Sequence, residues 1–245
     1  IPLNDAQSAL FDLSRLPPAR FAAVEIHRGG VPTGLGAGGI GAINLISRDD
    51  RTGPTGRLHA GAWGQAGGQA TWRGGRPGGR TAVLVALHAQ RTDNDFPFTD
   101  HRYTFNRTDD DRERTRTGAW LKQWGGFGRL RHTAGVWRAD LRLGMFRRDG
   151  GRPGPIGHES PHATVRYDRL DAALALDWRD DLLRLDLAAS RGREFLYDPE
   201  GEIPLSPGGV VRSRGEDVFG RLNWSPVLLA WGAADARDEL RLQAG

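Results

Sequence analysis

A period of two runs through most of this chain from Gly56 onward, and no other feature limits its possible folds as much. Leu170, Ala172, Leu174, Leu176 and Trp178 alternate with Asp171, Ala173, Ala175 and Asp177. Successive side chains of a β-strand point to opposite faces, so this spacing gives an extended segment one apolar face and one mixed face. Wound at 3.6 residues per turn, the same residues would scatter their leucines around a helix. The next segment repeats the pattern, with Leu183, Leu185, Leu187 and Ala189 set against Arg184, Asp186 and Ser190. Only Arg179, Asp180 and Asp181 separate the two, which predicts a hairpin. Nearer the N-terminus, Leu58, Ala60 and Ala62 alternate with His59, Gly61 and Trp63.

Extended over the whole region, the pattern predicts about nine strands, at 57–67, 69–76, 80–91, 118–131, 136–147, 165–178, 182–194, 213–224 and 229–242. Short links fall at Pro77–Gly79, His132–Gly135, Arg179–Asp181 and Ser225–Leu228, and long polar ones at 92–117, 148–164 and 195–212. Beyond the first hairpin, long and short links therefore alternate along the chain. An ordinary sandwich has no reason to do this, whereas an outer-membrane barrel has short turns on one side of the membrane and long loops on the other. Strands such as 118–131 and 165–178 also exceed the five or six residues usual in soluble sheets and suit the roughly 9–11 of a tilted membrane crossing. Trp63, Trp72, Trp120, Trp124, Trp137, Trp178, Trp224 and Trp231 lie in these strands or near their ends, as interface girdles would. Any one of them alone could equally be a cross-strand packing residue.

Composition removes several function classes. No run approaches the roughly 18 apolar residues of a membrane helix, and the 38% hydrophobic content leaves a β-barrel open because its polar positions dilute the apolar ones. The net charge of +4 raises nucleic acid, but the cations are arginines dispersed among Asp and Glu, with Lys122 the only lysine, so no phosphate-binding stripe forms and none is expected. Without cysteine there is no disulfide framework and no thiol chemistry. The opening IPLNDAQSAL lacks the basic and apolar regions of a signal peptide, and the closing ELRLQAG stops inside an alternating pattern, so the chain is expected to continue in both directions.

The first fifty residues differ. Leu16, Pro17 and Pro18 predict a helix start or turn, Phe21, Val24 and Ile26 a short strand ending at Arg28–Gly30, and Ile40–Ile46 another strand opening from glycines. The run Pro18–Gly30, PARFAAVEIHRGG, followed by Gly34–Ser47, GLGAGGIGAINLIS, resembles the closing segment of the plug domain of TonB-dependent outer-membrane receptors. Val24, Glu25, Ile26, Arg28, Gly29, Gly38, Gly41, Asn44 and Ile46 fall on the matching positions, and Ile1–Gln7 is similar to the plug segment preceding them. Gly30 departs from the family, which most often has proline there. Asn94–Asp100, Asp109–Trp120 and Arg148–Pro155 resemble loop regions of cobalamin-receptor-like members.

The resemblance implies a mainly β chain: a small α/β plug remnant over residues 1–53, then the first part of an antiparallel transmembrane β-barrel over 54–245. Barrels of this transporter class have 22 strands, so nine would be an incomplete wall. The implied parent takes up a scarce nutrient such as a metal-siderophore or cobalamin across the bacterial outer membrane, with energy from TonB. Its partners would be that ligand, TonB and outer-membrane lipid, and the segment that contacts TonB is not in this sequence. No cofactor is implied.

For the motif residues the expected role is structural, since glycines let backbones pass closely inside a packed plug. GLGAGG is not a nucleotide loop, because the GxxxxGK[ST] arrangement is missing. No Ser-His-Asp order, HExxH motif or Cys/His cluster supports an enzyme. Asp93, Asp95, Asp100, Asp109, Asp110 and Asp111 form an acidic loop that could hold calcium, but Arg102, Arg107, Arg112, Arg114 and Arg116 share it and are expected to pair with those carboxylates. The seven histidines are scattered and are expected to be polar surface or lumen residues. A soluble or secreted β-rich binding or structural protein without transport activity is the alternative, and it requires the leucine faces to meet in a closed interior.

Overall fold

The computed structural model describes residues 21–28, 41–47, 53–76, 79–101, 108–154, 159–179, 182–203 and 208–224. Among these residues there are twelve strands and no helix. β1 (Phe21–Arg28) and β2 (Gly41–Ser47) form an antiparallel pair. β3 (Gly53–Ala60), β4 (Ala66–Gly74), β5 (Thr81–Thr92), β8 (Leu121–Ala134), β9 (Trp137–Gly151), β10 (Thr164–Trp178), β11 (Leu183–Asp198) and β12 (Gly209–Trp224) build one antiparallel sheet in the order β12-β11-β10-β9-β8-β5-β4-β3. It is a meander, interrupted only where the hairpin of β6 (Phe96–Asp100) and β7 (Arg112–Arg116) is inserted between β5 and β8. Because the strands reverse direction each time, the strand ends Ala60 and Ala66, Thr92 and Leu121, Gly151 and Thr164, and Asp198 and Gly209 lie at one end of the sheet, here called the loop end. Gly74 and Thr81, Ala134 and Trp137, and Trp178 and Leu183 lie at the other, here called the turn end.

The predicted period sets the register. Leu174 stands opposite Leu141 on one side and Leu187 on the other, and Leu176 stands opposite Leu185. The apolar face carries Trp137, Ala139, Leu141, Leu143 and Met145 on β9, Leu170 to Trp178 at even positions on β10, Leu183 to Ala189 at odd positions on β11, and Val218, Leu222 and Trp224 on β12. Arg142, Asp177, Arg184 and Asp186 point to the opposite face. No second layer covers the apolar face among the described residues: Leu170 is 59% exposed and Leu143 52%. The charged face is the enclosed one, with Asp140 at 7% and Asp177 at 6%. This is the reverse of a soluble sheet, which buries its apolar side.

Each apolar row ends in charge at the loop end, at Arg91, Lys122, Arg147, Asp168, Arg191 and Glu216 on β5, β8, β9, β10, β11 and β12. Followed across the paired rows, that boundary drops by four residues over five strand-to-strand steps. At about 3.4 Å per residue and about 4.8 Å per strand, the slope is about 30°.

Three sequence expectations are corrected in detail. The first hairpin turns at Ala62–Gln65, not near residue 68: the Gln65 N–H donates to the Ala62 carbonyl at 3.2 Å, with Trp63 at φ 55° and Gly64 at φ 70°. Positive φ at both central positions matches the twist of the flanking strands, and here the alternation of Ala and Gly was too weak to mark the strand end. β11 and β12 reach Asp198 and start at Gly209, so the link expected at 195–212 shrinks to 199–208. The long link 92–117 contains the β6–β7 hairpin, which was not expected. The strand expected at 229–242 and the helix start at Leu16–Pro18 lie outside the described residues. Within 1–53 the described residues form strands only, so the α part of the expected α/β unit has no counterpart among them. β1 and β2 fall within a residue of their expected positions.

Candidate functional site

The charged face of the sheet is a continuous polar wall. Asp140 on β9 accepts from Arg129 Nε on β8 at 3.0 Å and from Arg142 Nε at 3.0 Å, with Arg131 Nε 3.8 Å away. Two strands along, Asp186 accepts from Arg184 Nε at 3.1 Å and from Arg221 at 2.8 Å, and Arg184 also lies 3.6 Å from Asp177. Arg169 donates to Asp171 at 2.8 Å. Each of these four carboxylates has a guanidinium neighbour on an adjacent strand or at i±2 spacing, which alternation places on one face. Toward the loop end the same face carries the stacked pair His88–Phe146 and the tilted pair Phe146–Tyr167. Such a face can line a hydrated passage.

The loop end is stitched together. The Trp63 carbonyl accepts from Asp93 N, Asn94 N and the Thr92 hydroxyl, and its ring meets Phe96 edge-on at 6.0 Å. On the β6–β7 hairpin, Arg114 pairs with Asp100 at 3.2 Å and reaches Glu159 in the next loop at 2.8 Å, while Arg116 donates to the Gly154 carbonyl. Those two carboxylates raise the Arg114 pKa, led by the Asp100 hydrogen bond. Gly118 and Gly151 pass so closely that a Cβ on Gly151 would overlap the Gly118 carbonyl. The buried Asp198 carboxylate, at the end of β11, accepts from Glu202 N at 2.8 Å and Ile203 N at 3.0 Å. Glu202 in turn accepts from the backbone N–H of His162 and of Ala163 at 3.0 and 3.2 Å, joining two loops. A hydrogen bond to Glu202, with Glu200 adding its charge, raises the His162 pKa above 6.5.

Of the residues singled out from sequence, the β1–β2 pair sets Glu25 opposite Asn44, Ile26 opposite Ile43 and Arg28 opposite Gly41. Val24, Ile26 and Ile46 are exposed among the described residues. Gly29 and Gly38 lie outside them. In the acidic loop, Asp100 pairs with Arg114 as expected and Asp111 with His101 at 3.0 Å. Arg102 and Arg107 lie outside the described residues, and the six aspartates do not converge in threes among those described. His162, Glu200 and Glu202 do converge, and sequence reasoning passed over them because the histidine and the two glutamates sit in separate loops with no motif spacing.

No protein-family model matches the chain, and no curated protein matches it either. No helix among the described residues is long and apolar enough to cross a membrane, which leaves crossing by strands open.

Proposed function

We propose that this chain is a piece of a TonB-dependent outer-membrane receptor, with residues 1–53 from the end of its plug and 54–245 from its barrel wall. The parent takes up a scarce, large nutrient of the metal-siderophore or cobalamin type, using energy delivered through TonB. The observation that carries this is the paired apolar span of β9 and β10. Positions 137–145 and 170–178 are in register, apolar at every outward position, bounded by Trp137 and Trp178 at the turn end and by Arg147 and Asp168 at the loop end. Nine residues span about 27 Å along the strand, within the range needed to cross a bilayer when tilted. The oblique boundary of about 30° approaches the 35–45° strand tilt of barrels. Trp137 and Trp178 lie side by side, ring centroids 6.3 Å apart, as a membrane-interface girdle would have them.

On this reading the exposed leucines meet lipid, and the arginine–aspartate network lines the lumen beside the plug. The test uses single-cysteine variants, made simple by a chain without cysteine. In the full-length protein folded into phospholipid vesicles, spin labels at positions 141, 143 and 145 should be accessible to oxygen and those at 140, 142 and 144 should not. Equal access of both sets to a water-soluble relaxing agent would refute the barrel wall. Uptake is tested separately, by whether cells lose import of cobalamin or ferric siderophore when the gene or TonB is disabled.

A further inference from the structure

We propose that His162, Glu200 and Glu202 form a binding site for a divalent transition-metal ion of the Zn2+ class, which clamps the loop after β9 to the loop after β11. One ligand atom from each residue lies within 4.8 Å of the other two. His162 Nδ1 is 2.8 Å from Glu202 Oε1 and 3.4 Å from Glu200 Oε1. Ligand atoms about 2.0–2.1 Å from a tetrahedral zinc ion are about 3.3 Å apart, so the two separations from His162 already lie within about 0.5 Å of that value, and rotation of the exposed Glu200 side chain brings its oxygen to the third. One imidazole with two carboxylates suits zinc, copper or nickel, whereas magnesium and calcium favour oxygen alone.

The site is built, beyond being a coincidence of exposed side chains. Glu202 is 12% exposed, and its second oxygen is fixed by the His162 and Ala163 amides, so the carboxylate is oriented by the loop that carries the imidazole. Its own backbone is held by Asp198, which is 1% exposed. A buried carboxylate fixing the main chain of a ligand residue is the kind of outer support that metal sites use. Without a cation, two glutamates crowd one imidazole, and their charge exceeds what a single imidazolium can offset. A divalent ion removes that imbalance. Three protein ligands also leave a coordination position free for water or for a donor atom of an incoming molecule. This proposal stands on loop geometry and is independent of the membrane reading.

The experiment is zinc titration of the full-length protein in detergent micelles at pH 7.5, by calorimetry and by metal content after desalting. The wild type should retain one more equivalent of Zn2+ than His162→Ala, and Glu200→Gln should weaken that site at least tenfold. Magnesium in large excess should not displace it. Glu159→Gln, an acid in the same loop that pairs with Arg114, should bind zinc as the wild type does. His162 and Glu200 are exposed, so strand content by circular dichroism should be unchanged in both variants. Zinc should also slow hydrogen exchange of the 159–163 and 199–203 amides in the wild type but not in Glu200→Gln. Equal zinc retention by wild type and His162→Ala, or no binding by the wild type, would overturn the proposal.

Discussion

Leu141→Arg separates a membrane wall from a soluble sheet by magnitude. Leu141 is the middle of the nine-position span on β9, four residues from Trp137 at the turn end and four from Met145, after which Arg147 begins the charged zone. If the span crosses a bilayer, position 141 is at its centre and position 145 near its edge. An arginine on the lipid face of a barrel costs about 2–4 kcal/mol at the midplane and about 0–1 kcal/mol near the interface. Leu141→Arg should therefore shift the folding equilibrium about 30- to several hundred-fold, and Met145→Arg less than about tenfold. In a soluble sheet both positions would face water, because Leu141 is 37% and Met145 44% exposed, and both changes would stay within about 0.5 kcal/mol. The assay is reversible urea unfolding of the full-length protein in phospholipid vesicles, followed by tryptophan fluorescence. Equal costs at 141 and 145, within about 0.5 kcal/mol, would refute the depth argument and with it the span.

On the opposite face, Asp140→Ala leaves Arg129, Arg131 and Arg142 without their shared counter-charge and should cost about 3–5 kcal/mol by the same urea assay, and Asp140→Asn, which removes the same charge, should also be strongly destabilising. Gly125→Ala should impair folding by about 1–3 kcal/mol, because its Cβ would sit 2.8 Å from the Met145 carbonyl oxygen and 2.5 Å from the His88 ring. Gly128→Ala, with nothing within 4 Å of the added carbon, should be neutral in the same urea assay. In buffer without lipid or detergent the uncovered leucine face should drive self-association, and a monomeric, cooperatively melting species in sedimentation and calorimetry would contradict this.

Much of the architecture was legible because strand alternation is a local property. Leu170–Trp178 and Leu183–Ala189 prescribe their own faces, and four residues between them leave only an antiparallel hairpin. The same local logic located β1 and β2 within a residue of their ends. It failed where side chains carry little contrast, as in the Ala–Gly stretch before Trp63, and where charge extends onto both faces, as beyond Arg191 and Glu216. There the strands continue past the charged positions, because backbone pairing with a registered neighbour carries the ladder on to the cross-strand pairs Leu196–Val211 and Tyr197–Val210. Tertiary structure alone decided which face is open. The alternation says that leucines share a side, but only the absence of a covering layer among the described residues leaves them exposed while Asp140 and Asp177 are enclosed. It alone also assembled His162 with Glu200 and Glu202. Ligands about 40 positions apart meet only after β10 and β11 run down and back, and that return path is set by pairing across the whole hairpin, not by any residue near the site.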